Sequence, residues 1–230
     1  MFSFSHVRVP CTLFSMTKRS LLEVLSILKR AYPDARCSLN WTTPLELLIA
    51  TILSAQCTDK RVNIVTQTLF SRYRTPQDYL AVPQSTLERD VFSCGTYRMK
   101  ARAIREACKT IIEEFNGEVP RTMGDMLRLR GVGRKTAAIV LGTAFGIIEG
   151  IPVDTHVMRV SRCLGLTTHT QQAKIERALM AITPREDWLL LSHLLVAHGR
   201  NACTARRPHP HRSCLSGIGS NRNNTEMSRV

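Results

Sequence analysis

Apolar residues recur every three or four positions along most of this chain, the spacing that turns one face of an α-helix toward a core. Leu21, Leu22, Val24, Leu25 and Leu28 form the first such stripe, with Thr17 or Ser20 as its cap. Pro44 opens a second, through Leu45, Leu47, Leu48, Ile49, Ile52 and Leu53, because proline suits the first helical turn, whose amides lack partners anyway. Asp59 is placed to cap a third, through Val62, Val65 and Leu69. Further helices fit 76–81, 84–91 and 97–115; the last carries Ala101, Ile104, Ala107, Ile111 and Ile112 and ends at Asn116-Gly117. Thr122 can cap 123–129, and the helical spacing continues over 134–145, 155–164, 170–181 and 185–197. No segment alternates apolar and polar residues between hairpin turns, so the pattern predicts an all-α fold without strands. No fixed-period repeat interrupts it.

Composition changes this picture at the ends. After Arg200 the chain turns to Arg, His, Pro, Ser, Asn and Gly, and 215–230 is expected to be a disordered tail. Residues 1–15 mix Phe, Ser, His, Arg and Pro without a continuous apolar stretch, so they make a poor secretory signal. Met16 is an alternative start, which sets 1–16 apart as an N-terminal extension. The 230 residues suffice for one large domain or two small ones. No apolar run approaches the roughly 18 residues needed to cross a bilayer. The eight cysteines are scattered singly, which reads as reduced thiols in a cytosol. Lys and Arg total 32 against 18 Asp and Glu, a net charge of +14 that favours a polyanionic partner, with nucleic acid foremost.

The candidate chemistry lies between 131 and 156. Gly131-Val132-Gly133-Arg134-Lys135-Thr136-Ala137 opens an apolar helix, and Val153-Asp154-Thr155-His156 follows soon after it ends. Two glycines around one apolar residue let a backbone turn sharply and approach a ligand. The amides that open the next helix then point outward with the helix dipole behind them, which suits a DNA phosphate. Taken alone, the tripeptide reads equally well as a tight corner between helices. Arg128, Arg130 and Arg134 around it favour the phosphate site. Lys135 reads either as a solvated lysine or as a nucleophile. A helix N-terminus disfavours cations, and that is the direction amine chemistry requires. Asp154 can cap the helix that includes His156, Val157 and Val160. A capped carboxylate is also a fixed one, and the intervening residues are enough to bring it back toward Lys135.

These residues carry a family resemblance. Leu53 to Asp59, Tyr97 with Lys100-Ala101, Asn116 to Pro120, Leu129 to Ala138, Thr143 to Gly146, Val153 to Val160, and His198-Gly199-Arg200 before Cys203 follow one another in order. Over roughly 17–203 the chain resembles the endonuclease III family of the helix-hairpin-helix DNA glycosylase superfamily. The resemblance implies a two-domain, all-helical fold with the active site in the cleft between domains. A six-helix barrel would span 37–148, and the second domain would join 17–36 to 149–214. It implies a monomeric base-excision-repair enzyme of the bacterial cytosol, with no membrane partner, acting on damaged double-stranded DNA. That enzyme would flip an oxidised pyrimidine out of the duplex, remove it, and cut the strand by β-elimination. Lys135 would attack the sugar C1′, Asp154 would assist, and Gln56 would fill the gap left by the flipped base. Gly131, Val132, Gly133, Arg134 and Thr136 would contact DNA. The lysine distinguishes this enzyme from monofunctional relatives, and Ala50 stands where adenine-mismatch relatives carry a glutamate.

Two features depart from the family pattern. The family holds a [4Fe-4S] cluster through cysteines spaced C-x6-C-x2-C-x5-C, because thiolates are the soft ligands such clusters need. Counting from Cys203, the other slots fall on Pro210, Ser213 and Gly219, and Cys214 is one residue out of register. The expectation is therefore no cluster and no other cofactor. Cys203, His209, His211 and Cys214 are zinc ligand types, but their spacing matches no zinc pattern. Thr96 stands where the family often has a bulky apolar wedge, and threonine is a weaker one. Two further readings remain open: a DNA-binding protein without turnover, and a monofunctional glycosylase in which Lys135 only contacts phosphate.

Overall fold

The structure, a computed structural model, describes residues 18–205. Thr17, the extension 1–16, the tail 215–230 and the residues His209, His211 and Cys214 lie outside the described residues. Helices run in the order α1 (Lys18–Ala31), α2 (Pro44–Leu53), α3 (Asp59–Arg72), α4 (Pro76–Ala81), α5 (Gln84–Asp90) and α6 (Tyr97–Phe115), then α7 (Met123–Met126), α8 (Arg134–Phe145), α9 (Thr155–Cys163), α10 (Gln172–Ile182) and α11 (Trp188–Asn201). Short 3-10 turns at Phe92–Cys94 and Arg185–Asp187 lead into α6 and α11. Among the described residues there is no strand, as the pattern predicts. No helix among them is long and apolar enough to cross a membrane.

Local chemistry explains most boundaries. Thr43 caps α2 in a reciprocal capping box with Glu46, and Pro44 follows at the first helical position. Asn116 at φ 52° and Gly117 at φ 82° end α6 in the left-handed region. Thr122 accepts from the Asp125 amide at the start of α7. Three sequence expectations shift. Thr58 rather than Asp59 caps α3, which frees the Asp59 carboxylate for the pair described below. Ser20 lies inside α1 rather than at its cap. Leu22 is half exposed, because only Leu21, Val24, Leu25 and Leu28 share the buried face of α1.

Two apolar cores form. The first is built from α2 to α8 and includes Leu48, Ile49, Leu53, Leu87, Ile104, Ile111, Met126 and Leu141. The second joins the N-terminal helix α1 to the C-terminal α9, α10 and α11, through residues such as Leu28, Val157, Ile175 and Leu194. The helices approach closely where α8 meets α11: a methyl on Gly142 would lie 2.9 Å from Leu189. Between the cores, the segment after α1, the end of α2, the start of α8 and one face of α11 enclose a cavity of about 200 Å³.

Candidate active site

The turn between α7 and α8 is held from inside. Gly131 has φ 80°, and a methyl there would lie 2.9 Å from the Ala103 methyl of α6. Both facts demand glycine. Val132 is buried, and its amide donates to Leu129 O at 3.1 Å. In the free chain its side chain belongs to the first core and its amide is already bonded. Gly133 differs, since nothing lies within 4 Å of a methyl built on it. Among the described residues its lack of a side chain answers to no packing constraint and leaves the way open for something outside. The first bond of α8 runs from Ala137 N to Gly133 O at 2.9 Å. The amides of Gly133, Arg134, Lys135 and Thr136 are therefore left without backbone acceptors among the described residues, as at any uncapped helix start.

The arginines around this turn are not free charges. Arg128 pairs with Glu114, and Arg130 lies 3.6 Å from Glu106. Arg134 Nε stands 2.9 Å from both carboxylate oxygens of Glu176, and that hydrogen bond raises the guanidinium pKa further. The Arg134 side chain remains about half exposed beside the turn.

Lys135 and Asp154 line the same cavity between the cores. Both are partly buried. Among the described residues the Lys135 ammonium makes no hydrogen bond or ion pair. Asp154 caps α9 as expected, accepting from the Val157 amide at 2.8 Å, and its other oxygen lies 3.4 Å from His156 Nδ1. The cap fixes the carboxylate and leaves lone pairs facing the cavity. Opposite, Arg200 of α11 donates to Asp59 Oδ2 at 2.6 Å and to Ser38 Oγ at 3.2 Å, which closes one wall of the cavity.

Gln56 lies on the loop after α2, exposed, with φ 53°. A non-glycine residue in the left-handed region carries strain that the surroundings must hold. Lys100 supplies the hold. It is 4% exposed, and its ammonium donates to Leu53 O at 2.8 Å and to Cys94 O, tying the end of α2 to the turn before α6. Burial lowers its pKa below the ordinary lysine value. Beside that tie, Phe92 is 63% exposed and packs against Tyr97 with ring centroids 4.8 Å apart and planes tilted by 56°, while Thr96 is exposed nearby. Sequence reasoning gave no role to Lys100, Phe92 or His193, a further group lining the cavity. Lone residues in helical patterns carry no local signal of such contacts.

Of the four family cluster positions, only Cys203 carries a cysteine. Cys203 is fully buried in the second core, and Arg159 donates to its carbonyl at 2.8 Å and to Gly199 O at 2.9 Å. Pro210, Ser213 and Gly219 offer no thiolate at the remaining slots, so the donor set does not fit a four-cysteine cluster. Among the described residues no three His, Cys, Asp or Glu side chains gather as metal ligands.

Fold and cleft together define a helix-hairpin-helix protein of DNA repair: the family model of HhH-GPD superfamily base excision DNA repair proteins matches residues 49–185. Endonuclease III of Synechocystis sp. is 50% identical over 191 residues, covering 83% of this chain and 87% of the relative. That of Bacillus subtilis is 48% identical over 178 residues, covering 77% and 81%. Among solved structures, a non-covalent endonuclease III–DNA complex superposes with a TM-score of 0.81 at 47% identity, covering 84% of this chain and 90% of that one. A trapped endonuclease III–DNA covalent intermediate gives 0.80 at 47% identity, covering 84% and 91%. The chain belongs to the endonuclease III family, and it is a base excision repair enzyme of the bifunctional DNA glycosylase and abasic-site lyase class.

Proposed function

We propose that this chain, acting as a monomer in the cytoplasm, removes oxidised pyrimidines from double-stranded DNA and then cuts the strand through a lysine Schiff base. The observation that carries the reading is the placement of Lys135 and Asp154 on one cavity, with the lysine uncommitted to any partner among the described residues. The Lys135 amine attacks the sugar C1′ and the base leaves with the bonding electrons. The ring then opens to an imine between Nζ and C1′. Loss of a C2′ proton expels the 3′ phosphate, and water releases the enzyme. Asp154, fixed by its bond to the Val157 amide, accepts the proton from the attacking amine and offsets positive charge on the sugar.

The free amides of Gly133 to Thr136 hold the backbone phosphate, a contact that positions the strand without reading sequence. Gln56 occupies the gap left by the flipped base. Phe92, on the turn that Lys100 ties to the Gln56 loop, supplies the apolar surface that Thr96 lacks. The cysteine pattern supports a chain that folds without an iron–sulfur cluster.

The test is borohydride trapping on a duplex carrying thymine glycol or an abasic site. The wild-type chain forms a covalent adduct and Lys135→Ala does not. Trapping that persists in Lys135→Ala assigns the nucleophile elsewhere. Base release without any trapped adduct in the wild type supports a monofunctional enzyme instead.

A further inference from the structure

The cavity beside Lys135 is lined by polar groups that the reaction above does not use, among them Asp34 and Arg36 at its exposed rim, Cys37, and His193 on α11. His193, Val196, Ala197 and Arg200 line the cavity from one face of α11, the i, i+3, i+4, i+7 set of a helix turned toward one partner. The polar neighbours of His193 on α11 are committed to protein. Ser192 Oγ donates to Pro152 O at 2.6 Å, and Arg200 is held by Asp59 and Ser38. Across the cavity, Thr51 and Ser54 are bonded to carbonyls of their own helix. His193 makes no side-chain hydrogen bond among the described residues. A polar ring that faces a cavity and has no protein partner is a group left for a ligand.

We propose that His193 is a base-recognition residue, which hydrogen-bonds the polar edge of the flipped pyrimidine while Lys135 and Asp154 address its sugar. The inference rests on the glycosylase reading of this cavity and names the group that holds the base there. The chemistry of the ring fits. Burial lowers its pKa below the ordinary histidine value, which favours the neutral imidazole near pH 7. A neutral imidazole carries one donor and one acceptor. A pyrimidine edge alternates carbonyl acceptors with an N–H donor, so either tautomer finds a match. A donor aimed at a base carbonyl also stabilises the negative charge that develops as the base departs.

An abasic site separates this role from every other role in the cavity, because it retains the sugar and lacks the base. His193→Gln and His193→Ala are each assayed on a duplex carrying thymine glycol and on the same duplex carrying an abasic site. Single-turnover base release falls about tenfold or more in His193→Ala, and less in His193→Gln, which keeps a donor. Strand cleavage at the abasic site stays within about twofold of wild type in both. Thermal unfolding of the variants identifies any loss of fold, and the glutamine variant stands in for the alanine variant if that one unfolds. Equal loss on the two substrates would assign His193 a structural role and overturn the proposal, as would unchanged base release. Failure of the wild type on the abasic duplex would instead count against the lyase reading itself.

Discussion

Arg134 and Glu176 join α8 to α10 one residue before Lys135, with the guanidinium Nε 2.9 Å from each carboxylate oxygen. Glu176 is 7% exposed, so its charge depends on that partner. The pair fixes the first turn of α8 against the second core, and the nucleophile sits on that turn. Replacing Glu176 with Ala leaves the guanidinium unpaired. Stability falls by about 2 kcal/mol, less than for a fully buried pair because Arg134 is half exposed. Gly150→Ala acts in the same direction, since a methyl there strikes Glu176 Oε1. Urea unfolding of both variants measures the effect, and unchanged midpoints would show that the pair does not fix this turn.

The two glycines of the turn have separable roles. Gly131→Ala must adopt φ 80° against Ala103, so it loses about 2 kcal/mol of stability. Gly133→Ala meets open space at φ −96°, an ordinary backbone angle. Its stability stays within about 0.5 kcal/mol of wild type, while its affinity for duplex DNA falls by about tenfold. Thermal unfolding and fluorescence anisotropy on the same preparations read the two effects. A Gly133→Ala chain that binds DNA normally would remove the phosphate role from this turn.

His193 gives the stability a pH dependence of known sign. Burial holds its folded pKa below the unfolded value, so as pH falls the unfolded chain takes up a proton first. Stability therefore declines through about pH 6.5 and below, until the folded ring also protonates. Lys135, Arg36 and Arg200 face the same cavity as cations, and Asp34, Asp59 and Asp154 as anions. The difference between wild type and His193→Gln isolates the histidine from these groups. Denaturant midpoints between about pH 5 and 8 should diverge at the acid end. Parallel curves would show that the ring is not desolvated.

Much of this molecule is legible in its sequence because helical order is written locally. The stripe at 97–115 and the Asn116-Gly117 stop give α6 its residue-accurate limits, and Asp154 reads correctly as a cap. Gly131 is readable too, since a left-handed turn leaves few alternatives to glycine. The missed features depend on partners distant along the chain. Lys100 bonds Leu53 O, 47 residues away, and Arg134 meets Glu176 at a separation of 42. Arg200 and Asp59 are 141 residues apart. No spacing rule announces such pairs. Val132 carries no local sign that its apolar side chain belongs to the first core. His193 sits in an apolar helix, where a lone histidine ordinarily reads as core; only the cavity beside it changes that reading.

The central claim is that Lys135 supplies the amine. The most direct measurement is peptide mapping by mass spectrometry of the wild-type protein after borohydride reduction on an abasic duplex. The account predicts that the reduced sugar remnant is found on the peptide containing Lys135, bonded at its Nζ. A remnant on another lysine or on the N-terminal amine, with Lys135 unmodified, would contradict it.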